Sequence, residues 1–266
     1  MTIVHTLASG SSGNALLLSR GESHLLLDAG ISCRRITASL RELGLEPGTL
    51  SAILITHTHT DHIAGLQTLL KRCGAPVFAT ERACRELAWR LPDADSRLEV
   101  LDFGVSQSIG EFSVTAIPTS HDAPGSCGYR LDTDDGAVGV LTDTGYVTDE
   151  AADALLGVDL AVLEANHDIE TLRSGPYPYY LKQRILGTRG HLSNADAACF
   201  AAALAESGAS EIVLAHLSRE NNTPAMAQTA VEQALSAAGA APLLSVAPRD
   251  CLGPAHVVCR RSVCKR

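Results

Sequence analysis

Ile53-Leu-Ile-Thr-His57-Thr-His59-Thr-Asp61-His62-Ile-Ala-Gly65 joins an apolar run, Ala52 to Ile55, to four metal-ligand residue types within six positions. A helical apolar pattern follows at Ile63, Leu66, Leu69 and Leu70 and continues to Arg72. The stretch reads as a buried strand, a tight loop and a helix start, with the ligands at the strand's carboxyl end. His57 and His59 are two apart, so on extended backbone both rings project to one side. Asp61 and His62 are adjacent, and a turn there directs them to a second ion.

The rest of the composition sets the frame. The chain has 266 residues, of which 45% are apolar and 19% charged, which fits a single domain, 1–266, built from two βα halves. Its longest apolar runs have strand length, so no membrane span is expected. The N-terminal Met1-Thr-Ile-Val-His-Thr-Leu7 has neither a basic leader nor a long apolar core. The eight cysteines form no Cys-x-x-Cys pair. Together these predict a cytoplasmic protein with reduced thiols packed as small hydrophobes. The net charge of −9 weighs against non-specific nucleic-acid affinity. It does not exclude a nucleic-acid substrate, because carboxylates that hold cations are neutralised locally.

Along the chain, strands are expected at Thr2–Leu7, Ala15–Leu18, His24–Asp28, Val77–Ala79, Arg97–Leu101 and Glu111–Ile117. A strand pair, Gly128–Leu131 and Ala137–Thr142, turns at Asp134-Asp135-Gly136. Further strands are expected at Asp159–Leu163 and Glu211–Ala215, with Leu243–Ala247 the last. Helices are expected at Ile31–Leu43, Glu81–Arg90 and Thr148–Leu156, from Asn194 to about Ser207, and from Pro224 to about Ala238. The segment before Gly190 reads as irregular or helical. Strand after strand ends in a His, Asp or Glu: 57/59, 121, 143, 164 and 216. Catalytic groups collect at strand carboxyl ends in layered α/β architectures. The mixed order of hairpins and βα units predicts two sheets face to face with helices outside, an α/β four-layer αββα sandwich.

His57-Thr-His-Thr-Asp-His62, followed by His121, Asp143 and His216, resembles the ordered motif set of the metallo-β-lactamase fold. Ser9-Gly-Ser-Ser-Gly-Asn14, Thr142-Asp-Thr-Gly-Tyr-Val147, Glu164-Ala-Asn-His-Asp168, Gly190-His-Leu-Ser-Asn194 and Leu214-Ala-His-Leu-Ser-Arg-Glu-Asn-Asn222 are similar to its YycJ/WalJ branch. The resemblance implies two divalent metals, phosphodiester hydrolysis and, for that branch, 5′→3′ exonuclease action on DNA. The inserted β-CASP domain of the ribonuclease J type and the tRNA-binding arm of ribonuclease Z have no counterpart here. By carry-over, one ion takes His57, His59 and His121, the other Asp61, His62 and His216, and Asp143 bridges them. Seven ligands rich in nitrogen suit zinc, with manganese or iron tolerated. A metal-bridging hydroxide would attack phosphorus, and Asp61 counts among the catalytic groups through the ion it holds.

Glu164 and His191 resemble the pair that protonates the leaving oxygen in ribonuclease Z relatives, with Glu164 orienting His191. His167 reads as an alternative acid, a substrate contact or a structural residue. The Ser/Gly stretch is either a hairpin turn or a phosphate cradle through Ser11, Ser12 and Asn14. Ser218, Arg219 and Asn221 bind phosphate or form a solvated loop. Tyr179, Arg184 and Arg189, with their neighbouring tyrosines and cations, are the expected strand-handling segment, because bases stack on aromatics and cations track the backbone. The basic tail Arg260, Arg261, Lys265 and Arg266 assists at most. The partner is expected to be DNA. RNA processing, or hydrolysis of a cyclic phosphodiester, lactone or thioester, is the alternative on the same fold.

Overall fold

The computed structural model describes residues 1–260, so Arg261, Lys265 and Arg266 of the basic tail lie outside it. Strands β1 (Thr2–Ala8), β2 (Ala15–Arg20) and β3 (Ser23–Leu27) form an antiparallel meander. Helix α1 (Cys33–Glu42) then crosses to β4 (Ala52–Leu54), which lies parallel to β3. Short helices α2 (Thr60–Ile63) and α3 (Leu66–Leu70) lead to β5 (Val77–Ala79), and α4 (Glu81–Arg90) leads to β6 (Leu98–Val100). The second half begins with β7 (Ser106–Ile109), β8 (Phe112–Pro118), β9 (Cys127–Thr133) and β10 (Gly136–Leu141), all antiparallel neighbours. After α5 (Asp149–Leu155), β11 (Leu160–Glu164) adds parallel to β10. Helices α6 (Ile169–Ser174), α7 (Tyr179–Leu186) and α8 (Asn194–Glu206) precede β12 (Glu211–Ala215). Helix α9 (Pro224–Ala237), β13 (Leu243–Val246) and β14 (His256–Val258) complete the chain.

Among the described residues the sheet orders are β14-β1-β2-β3-β4-β5-β6 and β13-β12-β11-β10-β9-β8-β7. Each half therefore repeats one plan, hairpin strands first and helix-connected parallel strands after them. The central strands are buried on both faces, which is why they read as continuous apolar runs. Side chains alternate between layers with period two. Leu16, Leu18, Leu25, Leu27 and Leu54 meet Val114, Leu131, Val138, Val162 and Val213 between the sheets. Leu17, Leu26 and Ile53 face Ile36, Leu40, Leu66 and Leu87 of the outer helices. Ile212, Leu214 and Leu163 do the same against Leu155, Ala201, Leu204 and Val231 on the opposite side.

At four places the structure departs from the sequence expectations, adds to them or decides between them. The strand β7, Ser-Gln-Ser-Ile, is exposed along three of its four residues and lies at a sheet edge, so it carries no apolar run to betray it. Leu243–Val246 is not the last strand: β14 follows and pairs with β1. The helix from the ligand stretch to Arg72 is broken at Ala64–Gly65 into α2 and α3. The undecided segment before Gly190 folds as α6 and α7, the first capped by the Asp168 carboxylate accepting from Thr171 N–H at 2.8 Å.

Burial on both faces makes a specific prediction for β3. Leu25→Ala and Leu26→Ala remove neighbouring side chains that enter different cores, and each should cost about 2–5 kcal/mol in denaturant unfolding. A strand with one solvated face would leave one of the two changes nearly silent, and that result would contradict the layering.

Candidate metal centre

The parallel strands deliver most of the site. Asp28 follows β3, His57 lies three residues beyond β4, Asp143 two beyond β10, Glu164 ends β11 and His216 follows β12. Asp28, Asp143 and His216 have φ of 62°, 57° and 57°, and among the described residues they are the non-glycine positions with left-handed backbone. Such backbone costs about 1–3 kcal/mol per residue and persists only where surrounding structure enforces it. Here it turns each chain sharply off a strand end so that its side chain enters the space between the sheets.

Two glycines allow the loops to close on one another. A Cβ on Gly30 would lie 1.6 Å from the Asp61 carbonyl oxygen, and one on Gly65 would lie 2.1 Å from that of Ile31. Backbone bonds use this proximity: Asn14 N–H donates to the Asp61 carbonyl, Ala29 N–H to that of His62 and Gly65 N–H to that of Ala29, each at 2.8 Å. The break between α2 and α3 is thus the place where the ligand loop is tied to residues 28–31.

All seven expected ligands converge. His57, His59 and His121 each offer a nitrogen within 4.8 Å of the others; a carboxylate oxygen of Asp61 and nitrogens of His62 and His216 form a second such group, and an Asp143 oxygen joins His57 and His62. The ring nitrogens are sorted by their outer partners. His57 Nδ1–H donates to Thr56 Oγ1 (3.1 Å), His62 Nδ1–H to Asp28 Oδ2 (2.7 Å), His121 Nδ1–H to the Gly190 carbonyl (3.0 Å) and His216 Nδ1–H to Glu164 Oε1 (2.9 Å). Each leaves Nε2 turned inward. His57 Nε2, His216 Nε2 and Asp143 Oδ2 are buried without a hydrogen-bond partner among the described residues. Buried polar atoms are rarely left so. A convergent set of unpartnered imidazole and carboxylate donors fits divalent cations, and outer partners of this kind fix ligand tautomers.

The two groups differ electrostatically. Burial, reinforced by the neighbouring His rings, holds His57 well below the usual imidazole value, and burial with His121 also lowers His59. In that half His57 and His59 are thereby biased toward neutral nitrogens. Burial alone would lower His62 and His216, but the Asp143 carboxylate and its acidic neighbours push His62 well up and His216 up to about 10. Burial would raise Asp61, yet the His216 and His62 rings, each with Nε2 3.5 Å from its Oδ2, hold it well below the carboxylate range. This half therefore demands positive charge between its carboxylates. Asp143 Oδ2 lies 3.3 Å from His62 Nε2, and Oδ1 lies 3.9 Å from His121 Nε2, so Asp143 borders both groups.

Glu164 is fully buried and serves two rings. Its Oε1 accepts from His191 Nδ1–H at 2.8 Å as well as from His216, and Oε2 accepts from the N–H groups of Thr144 and Leu192. Burial would raise its pKa, but His191 and His216 hold it well below the usual range, so the carboxylate stays ionised. His191 borders a cavity of about 250 Å³ together with Asp61, His121, Asp143 and His216.

Of the expected substrate contacts, Ser11, Arg184, Arg189 and Ser218 line this cavity. Arg184 Nε donates to Asp122 at 2.6 Å, and Arg189 Nε to the His121 carbonyl at 3.2 Å. Others are placed elsewhere. Ser12 is exposed on its turn, outside the cavity lining. Tyr179 faces a neighbouring hollow of about 410 Å³ with Arg173 and Lys182. His167 is buried away from the cavity, neither ring nitrogen has a partner among the described residues, and burial lowers its pKa to about 4. Asn221 is buried under Ser218, whose Oγ accepts from its N–H at 3.3 Å. Asn14 works within the protein, its Nδ2 lying 3.1 Å from His62 Nε2 while Oδ1 accepts from Gly10 N–H. Sequence reasoning missed Asp28, Thr56 and Asp122. Asp28 carries the same strand-end signature that marked the others, and that signature was enough to find it.

The loop closure yields a test. Gly30→Ala forces the Asp61 loop outward, and the overpacking should cost about 1–3 kcal/mol of stability while lowering the divalent-metal content of the purified protein. Unchanged stability and metal content by thermal unfolding and elemental analysis would contradict the close packing.

The comparisons with known proteins agree with this geometry. The family model for the β-lactamase superfamily domain matches residues 23–217. The chain is 40% identical over 235 residues to exodeoxyribonuclease WalJ of Streptococcus pneumoniae serotype 2, covering 87% of each chain. It is 37% identical over 236 residues to exodeoxyribonuclease YycJ of Bacillus anthracis, covering 88% of this chain and 89% of the relative. The solved metallo-β-lactamase-fold protein YhfI of Bacillus subtilis superposes with a TM-score of 0.72 at 17% identity, over 95% of this chain and 98% of that one, a likeness of fold. The chain belongs to the β-lactamase superfamily and, within it, to the family of the WalJ and YycJ exodeoxyribonucleases.

Proposed function

We propose that this protein is a metal-dependent 5′→3′ DNA exonuclease that holds two divalent cations, zinc first and manganese or iron as substitutes. The observation that carries the reading is the convergence of seven ligand side chains, three with buried unpartnered atoms, on a cavity bordered by arginines in a chain related to exodeoxyribonucleases. His57, His59 and His121 would hold one ion, Asp61, His62 and His216 the other, with Asp143 shared. Two cations held there would supply Lewis acidity, lowering the pKa of a shared water toward ~7 and neutralising charge on an in-line displacement.

The protein's own groups do the rest. Glu164 fixes His191 with its Nδ1 proton inward, which leaves Nε2 as the atom that delivers a proton to the departing 3′-oxygen. Because Glu164 stays ionised, it also stabilises His191 while the ring carries that proton. Arg184 and Arg189 border the cavity and would orient the phosphate. A cavity of about 250 Å³ has room for the terminal unit of a strand, which supports attack from an end. The ligand set draws on both sheets, so the two halves act as one domain.

A blunt DNA duplex labelled at its 5′ end tests the reading. Mononucleotides should leave in order from that end, a chelator should stop the reaction and added divalent metal should restore it. Internal cutting, or no release by metal-replete protein, would defeat the proposal, and a requirement for ribose at the cut would move the substrate to RNA. His191→Ala should retain both ions and lose about 10²–10⁴ in kcat. Normal turnover in that variant would remove His191 from the chemistry.

A further inference from the structure

Asp122, next in sequence to His121, is oriented by both of its oxygens. Its Oδ2 accepts from Arg184 Nε of α7 at 2.6 Å. Its Oδ1 is buried with no hydrogen-bond partner among the described residues and lies 3.6 Å from both His59 Nε2 and His121 Nε2. The two rings offer it different things. His121 donates its Nδ1 proton to the Gly190 carbonyl, which is only an acceptor, so its Nε2 presents a lone pair that repels a carboxylate. His59 turns Nδ1 toward that lone pair, 3.3 Å away, as two donors to one cation would stand. With a cation held between those two nitrogens, the proton of a neutral His59 ring would sit on Nε2, facing Asp122 Oδ1. At 3.6 Å this is an electrostatic contact just beyond hydrogen-bond length, and a small side-chain rotation closes it.

We infer that Asp122 is a positioning residue for the first metal position, fixing His59 as an Nδ1 donor, and that Arg184 links this carboxylate to the substrate cavity. The inference rests on the metal assignment proposed above. A carboxylate behind a ligating imidazole fixes its tautomer and raises its basicity, and removing such a partner typically costs about 10–100-fold in metal affinity. The other rings use Thr56, Asp28, Gly190 and Glu164 for that purpose, and among the described residues His59 lacks an outer partner unless Asp122 fills the place. The guanidinium draws charge from the same carboxylate. A phosphate that attracts Arg184 therefore leaves more of the Asp122 charge to His59, so that strand binding tightens the hold on the ion beneath it.

Zinc titration of the full-length protein, calorimetric and by chelator competition, tests this together with ¹⁵N spectra of the histidine rings. Asp122→Asn should weaken one of two zinc steps by about 10–100-fold, leave the other within about two-fold and blur the His59 tautomer signal. Asp122→Glu should recover much of the loss. Arg184→Gln should leave zinc affinity equal or tighter while raising KM for DNA. The inference is overturned if Asp122→Asn binds both ions as the parent does, weakens both steps alike, or if Arg184→Gln weakens zinc as Asp122→Asn does. A parent protein that takes two ions but leaves DNA intact would sink the nuclease reading while the Asp122 result still stood. Failure of the parent to take two ions would sink the metal assignment and this inference with it.

Discussion

Five imidazoles and two carboxylates held against one another inside a protein repel, desolvate and lose hydrogen bonds, and the rest of this fold answers that cost. An unpaired polar atom in the interior forfeits several kcal/mol of hydration, about 1–3 kcal/mol by mutational measures. The structure limits the cost on the outer side of four of these rings, where Thr56, Asp28, Gly190 and Glu164 receive the Nδ1 protons of His57, His62, His121 and His216. The inner side is left without such partners, at His57 Nε2, His216 Nε2 and Asp143 Oδ2. An arrangement that satisfies the outer nitrogens of four rings and none of these inner atoms is built for positive charge at its centre. Loops alone cannot hold such a cluster. The two packed sheets can, because their parallel strands end side by side.

The same constraint explains where the backbone is strained. Asp28, Asp143 and His216 adopt left-handed conformations at the ends of β3, β10 and β12, and each hands its side chain to the centre or to a ligand of the centre. Gly30 and Gly65 lie on the other side of the same joint, where backbone meets backbone too closely for a Cβ. Stability in the three hydrophobic layers offsets the strain. The layers are dense with Leu, Val and Ala on both faces of the central strands, and the strained residues sit where those strands stop.

Much of this was legible in the sequence because ligands must follow strands. An apolar run that stops at His57, Asp143, Glu164 or His216 states both burial and direction, and the order of those stops resembled one fold. What stayed hidden lacked such a signal. The edge strand Ser106–Ile109 is mostly polar, and His256–Val258 is three residues long, so neither has the period that marks a half-buried strand. The break at Gly65 depends on Ile31, thirty-four positions earlier, a contact no local window contains. His167 shares the histidine-at-strand-end signature, yet its backbone pairs with Ser193 and it is not among the residues that line the cavity. Residue type at a strand end gives position along the chain, whereas the side from which a loop leaves decides whether the ring turns inward.

The formal charge of −9 also takes on a different meaning once the acids are located. Asp28, Asp61, Asp143 and Glu164 each face imidazole nitrogens of the ligand cluster, and bound cations would neutralise Asp61 and Asp143 where they line the cavity. Asp122 is engaged by Arg184, and Arg20 gathers Glu111, Asp134 and Asp135 at the far edge of the sheets. The cavity mouth instead carries Arg184 and Arg189, with Tyr177 beside them. A phosphodiester meets that local field within a Debye length of ~8–10 Å and is screened from most of the remaining acids. An acidic protein can thus receive an anionic polymer at one point, provided the contact is short and its grip comes from the bound cations and a few oriented arginines. Such a surface suits the end of a strand better than its length.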